Sequence, residues 1–198
     1  MTCHIKVTNY QKLIFENVNL KFKINIMAII KSLNGMSPTF GKDCFLADTA
    51  VVVGDVIMGD NCSIWFSAVV RGDVHYIRIG NKVNVQDNAT IHATYKKAPT
   101  NIGNNVSIAH NAVVHGCTIH DNVLVGMGAI IMDNAVINSN SIIAAGAVVL
   151  ENTIVESGSI YAGAPAKKVK DIDPAKITGE IERIANSYIM YAGWYKNV

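Results

Sequence analysis

The sequence of 198 residues has little charge and no long apolar segment, and each shortage excludes a class of protein. Charged residues make up 16% of the chain and the net charge is +2, so no basic surface for nucleic acid is expected. No apolar run approaches the roughly 18 residues that a membrane-spanning helix needs. We therefore expect no nucleic-acid partner and no membrane partner.

The cysteines are few and unpaired in the sequence: Cys3, Cys44, Cys62 and Cys117 form no CxxC motif, the spacing typical of thiolate zinc sites and redox motifs. Free thiols without a secretory signal favour a reducing compartment, and we expect a cytoplasmic protein. Residues 1–26 are rich in Lys and Asn and contain no Arg, unlike a transit peptide. We interpret residues 1–26 as an N-terminal extension outside the functional domain.

What the chain does have is a large apolar residue at nearly every sixth position. A small or β-branched residue follows most of these core positions by four, as Ala50, Ala68 and Ala89 do. A period of six fits neither the 3.6-residue period of a helix nor the alternation of a half-buried strand. It is the hexapeptide period of a parallel β-helix. The core positions are Leu46, Val52, Met58, Ile64, Val70, Ile79, Val85, Ile91, Ile102, Ile108, Val114, Ile119, Val125, Ile131, Ile137, Ile143, Val149, Val155 and Tyr161.

About three hexapeptides make one triangular turn, so the period predicts roughly six stacked turns with the core positions inside. After residue 168 the apolar spacing becomes helical, and Asp173 followed by Pro174 is typical of a helix start. The predicted fold is all-β. A parallel β-helix spans residues 27–168, and a C-terminal α-helix within residues 169–198 packs on it.

The period is irregular at three places, after Val70, after Ile91 and after Val114. The first two intervals are too long and the third is one residue short. Irregularities in a repeat usually map to loops on a functional face, so we expect loops at these places, including one over residues 93–101.

Three histidines have related positions in this pattern. His92 and His115 each follow a core position by one residue, three core positions apart, so both side chains should point outward from one face on adjacent turns. His110 follows its core position by two residues and lies on a different face. One triangular prism cannot bring these faces together, but neighbouring prisms can. We predict a homotrimer in which His92 and His115 of one chain meet His110 of the next.

Three imidazoles leave a fourth coordination position open for water, which is the arrangement of a catalytic zinc site. The metal lowers the pKa of that water to about 7 and provides hydroxide at neutral pH. We predict Zn²⁺ as the cofactor. Fe²⁺ and Co²⁺ are alternatives because three imidazoles discriminate poorly among these metals.

The same pattern places further polar side chains near the predicted metal. Arg71 lies one turn below the stacked histidine pair, with Asp73 two residues further on, and we interpret these two as an intersubunit ion pair. Asp87 has the position of His110 one turn earlier, so it is a predicted acceptor for that ring N–H. Gln86 is predicted to orient a bound water or hydroxide.

These motifs resemble those of the gamma-class carbonic anhydrase-like proteins of the hexapeptide-repeat superfamily. The resemblance extends over about residues 33–195 and rests on Arg71-Gly72-Asp73, NVQDNATIH ending at His92, IGNNVSIAHNAVVHGC ending at Cys117, and VGMGAIIMDNAVI. It implies a left-handed β-helix trimer with metal at the subunit interfaces. It implies that His92, His110 and His115 are the metal ligands, that Gln86 contacts metal-bound solvent, that Arg71 and Asp73 lie at the interface, and that Asn84 and Tyr188 match site positions of the family.

The activity implied by the resemblance is that of a carbonate dehydratase, the reversible hydration of CO₂ to bicarbonate. The archetype of the family has a glutamate after the aspartate and an acidic loop after the first ligand, both tied to proton transfer. This chain has Val74 after Asp73 and no acid in residues 93–101, which favours slow catalysis. Two alternatives are a coenzyme A-dependent acyltransferase or metal-dependent acyl-CoA thioesterase on the same scaffold, and a non-catalytic metal-binding scaffold.

Overall fold

The computed structural model describes residues 27–195, so the predicted extension over residues 1–26 lies outside the described residues. Most of the described residues form a parallel β-helix of about seven turns, which confirms the predicted fold class. Three flat faces run along it. Two of them belong to one hydrogen-bonded sheet, because two long strands bend from one face into the next.

Twenty strands form these faces. Face 1 contains β1 (Ile29–Lys31), the first part of β4 (Val51–Met58), the first part of β6 (Val69–Ile79), β8 (Thr90–His92), β11 (Val113–His115), β14 (Ile130–Ile131) and β17 (Val148–Val149). Face 2 contains β2 (Thr39–Phe40), the second parts of β4 and β6, β9 (Thr100–Ile102), β12 (Thr118–Ile119), β15 (Val136–Ile137) and β18 (Ile154–Val155). Face 3 contains β3 (Phe45–Leu46), β5 (Ser63–Ile64), β7 (Asn84–Val85), β10 (Ser107–Ile108), β13 (Val123–Val125), β16 (Ser141–Ile143), β19 (Ser159–Ala162) and β20 (Lys167–Asp171), which pairs antiparallel with β19.

The hexapeptide core positions form the interior. The residues at all core positions are buried, except Leu46, which is half-buried. The small residues four positions later are buried as well. Corners between strands use left-handed backbone, with Asn88 and Asn111 at φ 60°. Asn tolerates this conformation better than other residues with a side chain, which explains its frequency at the corners.

The structure has one turn more than the roughly six predicted. The additional turn comes first and is formed by β1 and β2 ahead of Leu46. Its strands do not keep the six-residue spacing, because residues 32–38 form an insert closed by a bridge between Leu33 and Met36. The hexapeptide period therefore begins one turn later than the β-helix does.

The irregularity after Val70 is not a loop, so that prediction was wrong. β6 continues through it, and its register with β4 shifts between Gly54 and Val56. Residues 73–76 lie between the paired residues Gly72 and Ile77 as a β-bulge, which absorbs the extra length within the strand. The loop after Ile91 is present between β8 and β9, and a tight turn at Gly116 (φ 55°) separates β11 from β12.

A helix follows β20. The sequence predicted the boundary between the β-helix and the helical segment at residue 168, which lies within β20. It comprises α1 (Pro174–Lys176), a π-helical segment (Ile177–Glu182) and α2 (Arg183–Tyr195). Asp173 is the N-cap, as predicted, and its Oδ1 accepts from the backbone N–H of Ala175 at 2.9 Å. No helix of residues 27–195 is long and apolar enough to cross a membrane.

The helix packs against face 3 through aromatic rings. Trp65, directly after β5, contacts Tyr188 at 5.2 Å and Tyr195 at 5.6 Å between ring centroids, both in edge-to-face geometry. Ile181 and Ala185, on the inner side of the helix, are buried. These contacts fix α2 beside the strands of face 3.

Candidate metal centre

His92 and His115 stack on face 1, as their positions in the sequence predict. β8 and β11 pair in parallel with His92 opposite His115. His92 Nδ1 and His115 Nε2 face each other at 3.2 Å. Four nitrogen ligands at the usual zinc distance of about 2.0–2.1 Å form a tetrahedron with edges of about 3.3 Å. The separation of these two nitrogens therefore fits two adjacent ligands of one metal ion.

A carboxylate holds the other ring nitrogen of each histidine in this pair. Asp73 Oδ1 lies 2.9 Å from His92 Nε2, and Asp133 Oδ1 lies 2.6 Å from His115 Nδ1. We call His92, His115, Asp73, Asp133 and Arg71 the paired-histidine half-site.

Both carboxylates remain ionised. Burial acts to raise the pKa of Asp73, but the hydrogen bond with His92 and the Arg71 guanidinium outweigh it and hold the pKa below its usual value. Burial likewise acts to raise the pKa of Asp133, but hydrogen bonds from Thr94 and His115 outweigh it and lower that pKa. An ionised carboxylate only accepts, so the facing imidazole nitrogen carries the proton. The lone pairs of His92 Nδ1 and His115 Nε2 are thereby directed at one another, which favours a cation between them.

Arg71 and Asp73 pair with each other within one chain, whereas the sequence suggested an ion pair between subunits. The bulge in β6 explains this placement, since it begins at Asp73 and turns that side chain toward His92.

Sequence reasoning missed Asp133. Its carboxylate is largely buried and accepts from Thr94 Oγ1 at 2.5 Å as well as from His115. The signal was present, since Asp133 follows the core position Ile131 by two residues, on the same face as His115 and one turn later. The loop over residues 93–101 supplies Thr94, so it supports the half-site from the side.

His110 lies after β10, at the corner between faces 3 and 1. Its Nδ1 is 2.8 Å from Asp87 Oδ2, which is the contact predicted from their shared position on adjacent turns. Asp87 Oδ1 also accepts from the backbone N–H of Phe66 at 3.2 Å. His110 thus has the same arrangement as the stacked pair, with one nitrogen held by a carboxylate and the other directed away.

Gln86 and Asn84 are buried beside His110 on face 3. Asn84 Nδ2 donates to Ser107 Oγ at 2.7 Å, and Gln86 Nε2 donates to Asn84 Oδ1 at 2.9 Å. The bond to Asn84 uses one of the two N–H groups of Gln86 and holds its amide, so Gln86 Oε1 remains an acceptor beside the cleft that Gln86 lines together with His110.

Tyr188 reaches the same cleft from α2. Its hydroxyl lies 3.5 Å from His110 Nε2. Burial, with a smaller contribution from the Asp87 charge, raises the pKa of Tyr188 to about 12. The cleft has a volume of about 440 Å³ and mostly apolar walls that include Leu124 and Ile142. We call His110, Asp87, Gln86, Asn84 and Tyr188 the single-histidine half-site.

The two half-sites are not one cluster within the chain. No group of three or more His, Cys, Asp or Glu side chains in residues 27–195 is arranged to hold a metal ion. The donor set nevertheless suits Zn²⁺, Fe²⁺ or Co²⁺, because it consists of imidazoles whose second nitrogens are held by carboxylates.

Known proteins are similar to this chain in sequence and in fold. The family "Bacterial transferase hexapeptide (six repeats)" matches residues 116–151. A carbonic anhydrase of Geobacillus kaustophilus is 41% identical over 168 residues, covering 85% of this chain and 91% of that protein. Gamma carbonic anhydrase 2, mitochondrial, of Arabidopsis thaliana is 42% identical over 161 residues, covering 79% of this chain and 58% of that protein.

A crystal structure of a hexapeptide transferase family protein from Anaplasma phagocytophilum matches with a TM-score of 0.80 and 38% identity, covering 84% of this chain and 98% of that one. Similarity to named carbonic anhydrases thus extends over most of this chain, and the fold agrees. The chain belongs to the gamma-class carbonic anhydrase-like family of hexapeptide-repeat proteins.

Proposed function

We propose that this protein is a homotrimeric, metal-dependent enzyme that reversibly hydrates CO₂ to bicarbonate. One observation carries the proposal. Each of His92, His110 and His115 has one ring nitrogen held by a carboxylate, and two of the remaining nitrogens lie 3.2 Å apart. Metal-binding histidines commonly have such carboxylate partners.

The outer surface of face 1 supports the trimer. Seven residues in register form one outward column beside the paired histidines, and all but Thr90 are apolar and β-branched. Ile29 and Ile130 in it are 56% and 39% exposed. At about 4.8 Å per strand, the column is roughly 29 Å long. The column comprises Ile29, Val51, Val69, Thr90, Val113, Ile130 and Val148.

An apolar stripe of this length suits burial against another protein surface. The occupant we propose is a second copy of this chain, because each half-site lacks the ligands that the other has. The single-histidine half-site of the neighbour then meets the paired-histidine half-site, and three such contacts close a ring. Zn²⁺ is the proposed metal, with Fe²⁺ or Co²⁺ as alternatives.

The chain's own residues have separable roles in the proposed reaction. The metal supplies Lewis acidity that makes hydroxide available at neutral pH. Asp73, Asp133 and Asp87 keep the ligand imidazoles in the metal-binding tautomer. Gln86 Oε1 accepts a hydrogen bond from the O–H of bound solvent and orients that solvent, since the Gln86 amide is held by Asn84. The apolar cleft wall beside His110 suits CO₂, which is small, uncharged and weakly hydrated.

Proton export is the step for which the chain is least equipped. Val74 follows Asp73, and the loop over residues 93–101 contains Lys96 and Lys97 but no acid. We therefore propose slow turnover that depends on buffer. In a stopped-flow CO₂ assay of the zinc-loaded protein, raising the imidazole concentration at fixed pH should increase kcat. Zinc-loaded protein without hydration above the buffer rate at any pH would refute the proposed activity.

A mixed-oligomer experiment tests the shared site. His110→Ala alone and the double variant His92→Ala/His115→Ala should each bind no metal. Mixed trimers of the two should regain one intact site, since one junction joins an intact pair to an intact His110, so about one metal per mixed trimer is expected. Elemental analysis of the co-purified mixture measures this. One metal per chain in His110→Ala, or no recovery on mixing, would refute sharing between subunits.

The acyltransferase alternative draws support from the similarity to a hexapeptide transferase family protein. Thermal shift of the metal-free protein with coenzyme A or acetyl coenzyme A separates the proposals. Stabilisation by coenzyme A together with absence of metal would favour the transferase. Bound metal with hydrolysis of acyl-CoA and no CO₂ hydration would favour the thioesterase, and bound metal without any turnover would favour a scaffold.

A further inference from the structure

Two cysteines that the proposed reaction does not use lie one above the other at the N-terminal end of the β-helix. Cys44 precedes β3 and Cys62 precedes β5, and these strands pair in parallel with Phe45 opposite Ser63. The Cα atoms of adjacent strands are separated by about 4.8 Å, within the range of about 4.4–6.8 Å found in disulfides. Their spacing therefore allows a bond between the first and second turns.

The side chains occupy the same position as well as the backbones. Cys44 and Cys62 each come directly before the paired residues Phe45 and Ser63, and both pack on the core. Each also donates to a carbonyl oxygen, Cys44 Sγ to Gly59 O at 3.2 Å and Cys62 Sγ to Gly80 O at 3.1 Å. The two thiols are thus held on adjacent turns at one corner of the β-helix.

The two thiols differ in access and acidity. Cys44 is half-buried on the first turn, and no strand of residues 27–195 pairs with β3 on the side away from β5, whereas Cys62 is buried. The neighbouring Cys62 lowers the pKa of Cys44 despite partial burial, while the same interaction and burial raise the pKa of Cys62. Burial raises the pKa of Cys117 to about 12, so that thiol is an internal contrast. An accessible thiol of lowered pKa beside a second thiol is the arrangement that oxidants attack.

We infer that Cys44 and Cys62 form an oxidation site at which a hydroperoxide converts the two thiols into a disulfide. The Cys44 thiolate attacks the peroxide oxygen, the O–O bond breaks, and Cys44 becomes a sulfenic acid while hydroxide leaves and takes up a proton as water. Cys62 then attacks the sulfenic sulfur, the S–O bond breaks, and the second oxygen leaves as water. Two thiols are oxidised, and one hydrogen peroxide is reduced to two waters.

The disulfide would tie the first turn to the second without involving the histidines of face 1. It would constrain the chain between residues 44 and 62 in the unfolded state and so favour the folded state. The expected result is a rise in Tm of several degrees on oxidation, reversed by dithiothreitol, with metal content unchanged.

Peptide mapping of the full chain tests the inference. Between Lys42 and Arg71 the sequence has no Lys or Arg, so one tryptic peptide, residues 43–71, contains both cysteines. After treatment with a small excess of hydrogen peroxide, this peptide should lose about 2 Da and resist alkylation, because disulfide formation removes two hydrogens. Cys117 should remain alkylatable. Two free thiols in residues 43–71 after this treatment would overturn the inference.

The chain itself offers a matched control substitution. Val83 and Val106 occupy the same inward position on the next two turns, so Cys44→Val and Cys62→Val keep the packing of the column. Either variant should abolish the mass loss and the shift in Tm. Cys62→Val should stop at the sulfenic acid of Cys44, which dimedone traps. A shift in Tm on oxidation that persists in both variants would show that another residue is responsible.

Discussion

The two half-sites differ in the structural elements that position their histidines. In the paired-histidine half-site, strand register brings the two rings together, since β8 and β11 place His92 and His115 opposite each other. In the single-histidine half-site, His110 sits at a corner and is completed by Tyr188 from a separate element, α2. The first arrangement depends on the repeat and the second on a helix docked onto it.

The carboxylates of the two half-sites differ in exposure. The Asp73 and Asp133 side chains are 19% and 9% exposed, whereas that of Asp87 is 34% exposed. His115 and His110 are alike, at 34% and 35%. The comparison predicts that the paired-histidine half-site tolerates loss of the helix, and that its carboxylates contribute more to metal affinity than Asp87 does.

The largest expected effect comes from undocking the helix. Ile181 is fully buried, and Ile181→Ala should cost about 2–5 kcal/mol of unfolding free energy because it leaves a cavity beneath the helix. Met190 on the same helix is 52% exposed, so Met190→Ala is the matched control with little effect. Urea unfolding measures both. A loss below about 1 kcal/mol in Ile181→Ala would show that the helix does not stabilise the fold.

The carboxylates provide the next test. Asp133→Asn should weaken metal affinity by about 100-fold and Asp87→Asn by about tenfold, the two ends of the range for partners of ligand histidines. The difference follows from the greater burial of Asp133 and its second hydrogen bond from Thr94. Competition with a chromophoric chelator gives both affinities. Equal losses would remove the distinction between the half-sites.

Gln86 should affect turnover and not metal content. Gln86→Ala removes the oriented acceptor from the cleft, and kcat should fall by about tenfold with metal stoichiometry unchanged. Asn84→Ala is the companion variant, since it frees the Gln86 amide to rotate and should lower kcat in the same direction. Loss of metal in Gln86→Ala would instead place Gln86 among the groups that maintain the ligands.

The smallest effect is expected from Tyr188. Its pKa, raised to about 12 by burial, keeps the phenol protonated over the working range, so it cannot act as a base there. Tyr188→Phe should change kcat by less than about threefold and leave the pH–rate profile unchanged below about pH 10. A profile that shifts in Tyr188→Phe would show that this hydroxyl participates in proton transfer.

The sequence predicted those parts of the molecule that depend on the repeat. The period placed the core, and the spacing of His92, His115, Asp87 and His110 predicted which side chains would meet. It failed where the chain departs from six residues. The first turn lacks the period, and the interval after Val70 looked like a loop because a bulge cannot be distinguished from a loop by counting residues.

Asp133 was missed for another reason. Its position relative to the core predicts its place on face 1, but an acid at a corner resembles the many solvated corner residues of the chain. Only the contact with His115 distinguishes it. The π-helical segment at Ile177–Glu182 gave no signal either, since its apolar spacing is close to that of an α-helix.

The bulge at residues 73–76 also bears on how such a protein can change over evolutionary time. Strand pairing with β4 resumes at Ile77, so an insertion of three residues is contained within a single corner and leaves every later turn undisturbed. Each corner can therefore lengthen or shorten independently of the others. Changes in length near Asp73 could retune the surroundings of the histidines, including the route by which protons leave, while the stacked interior keeps its register.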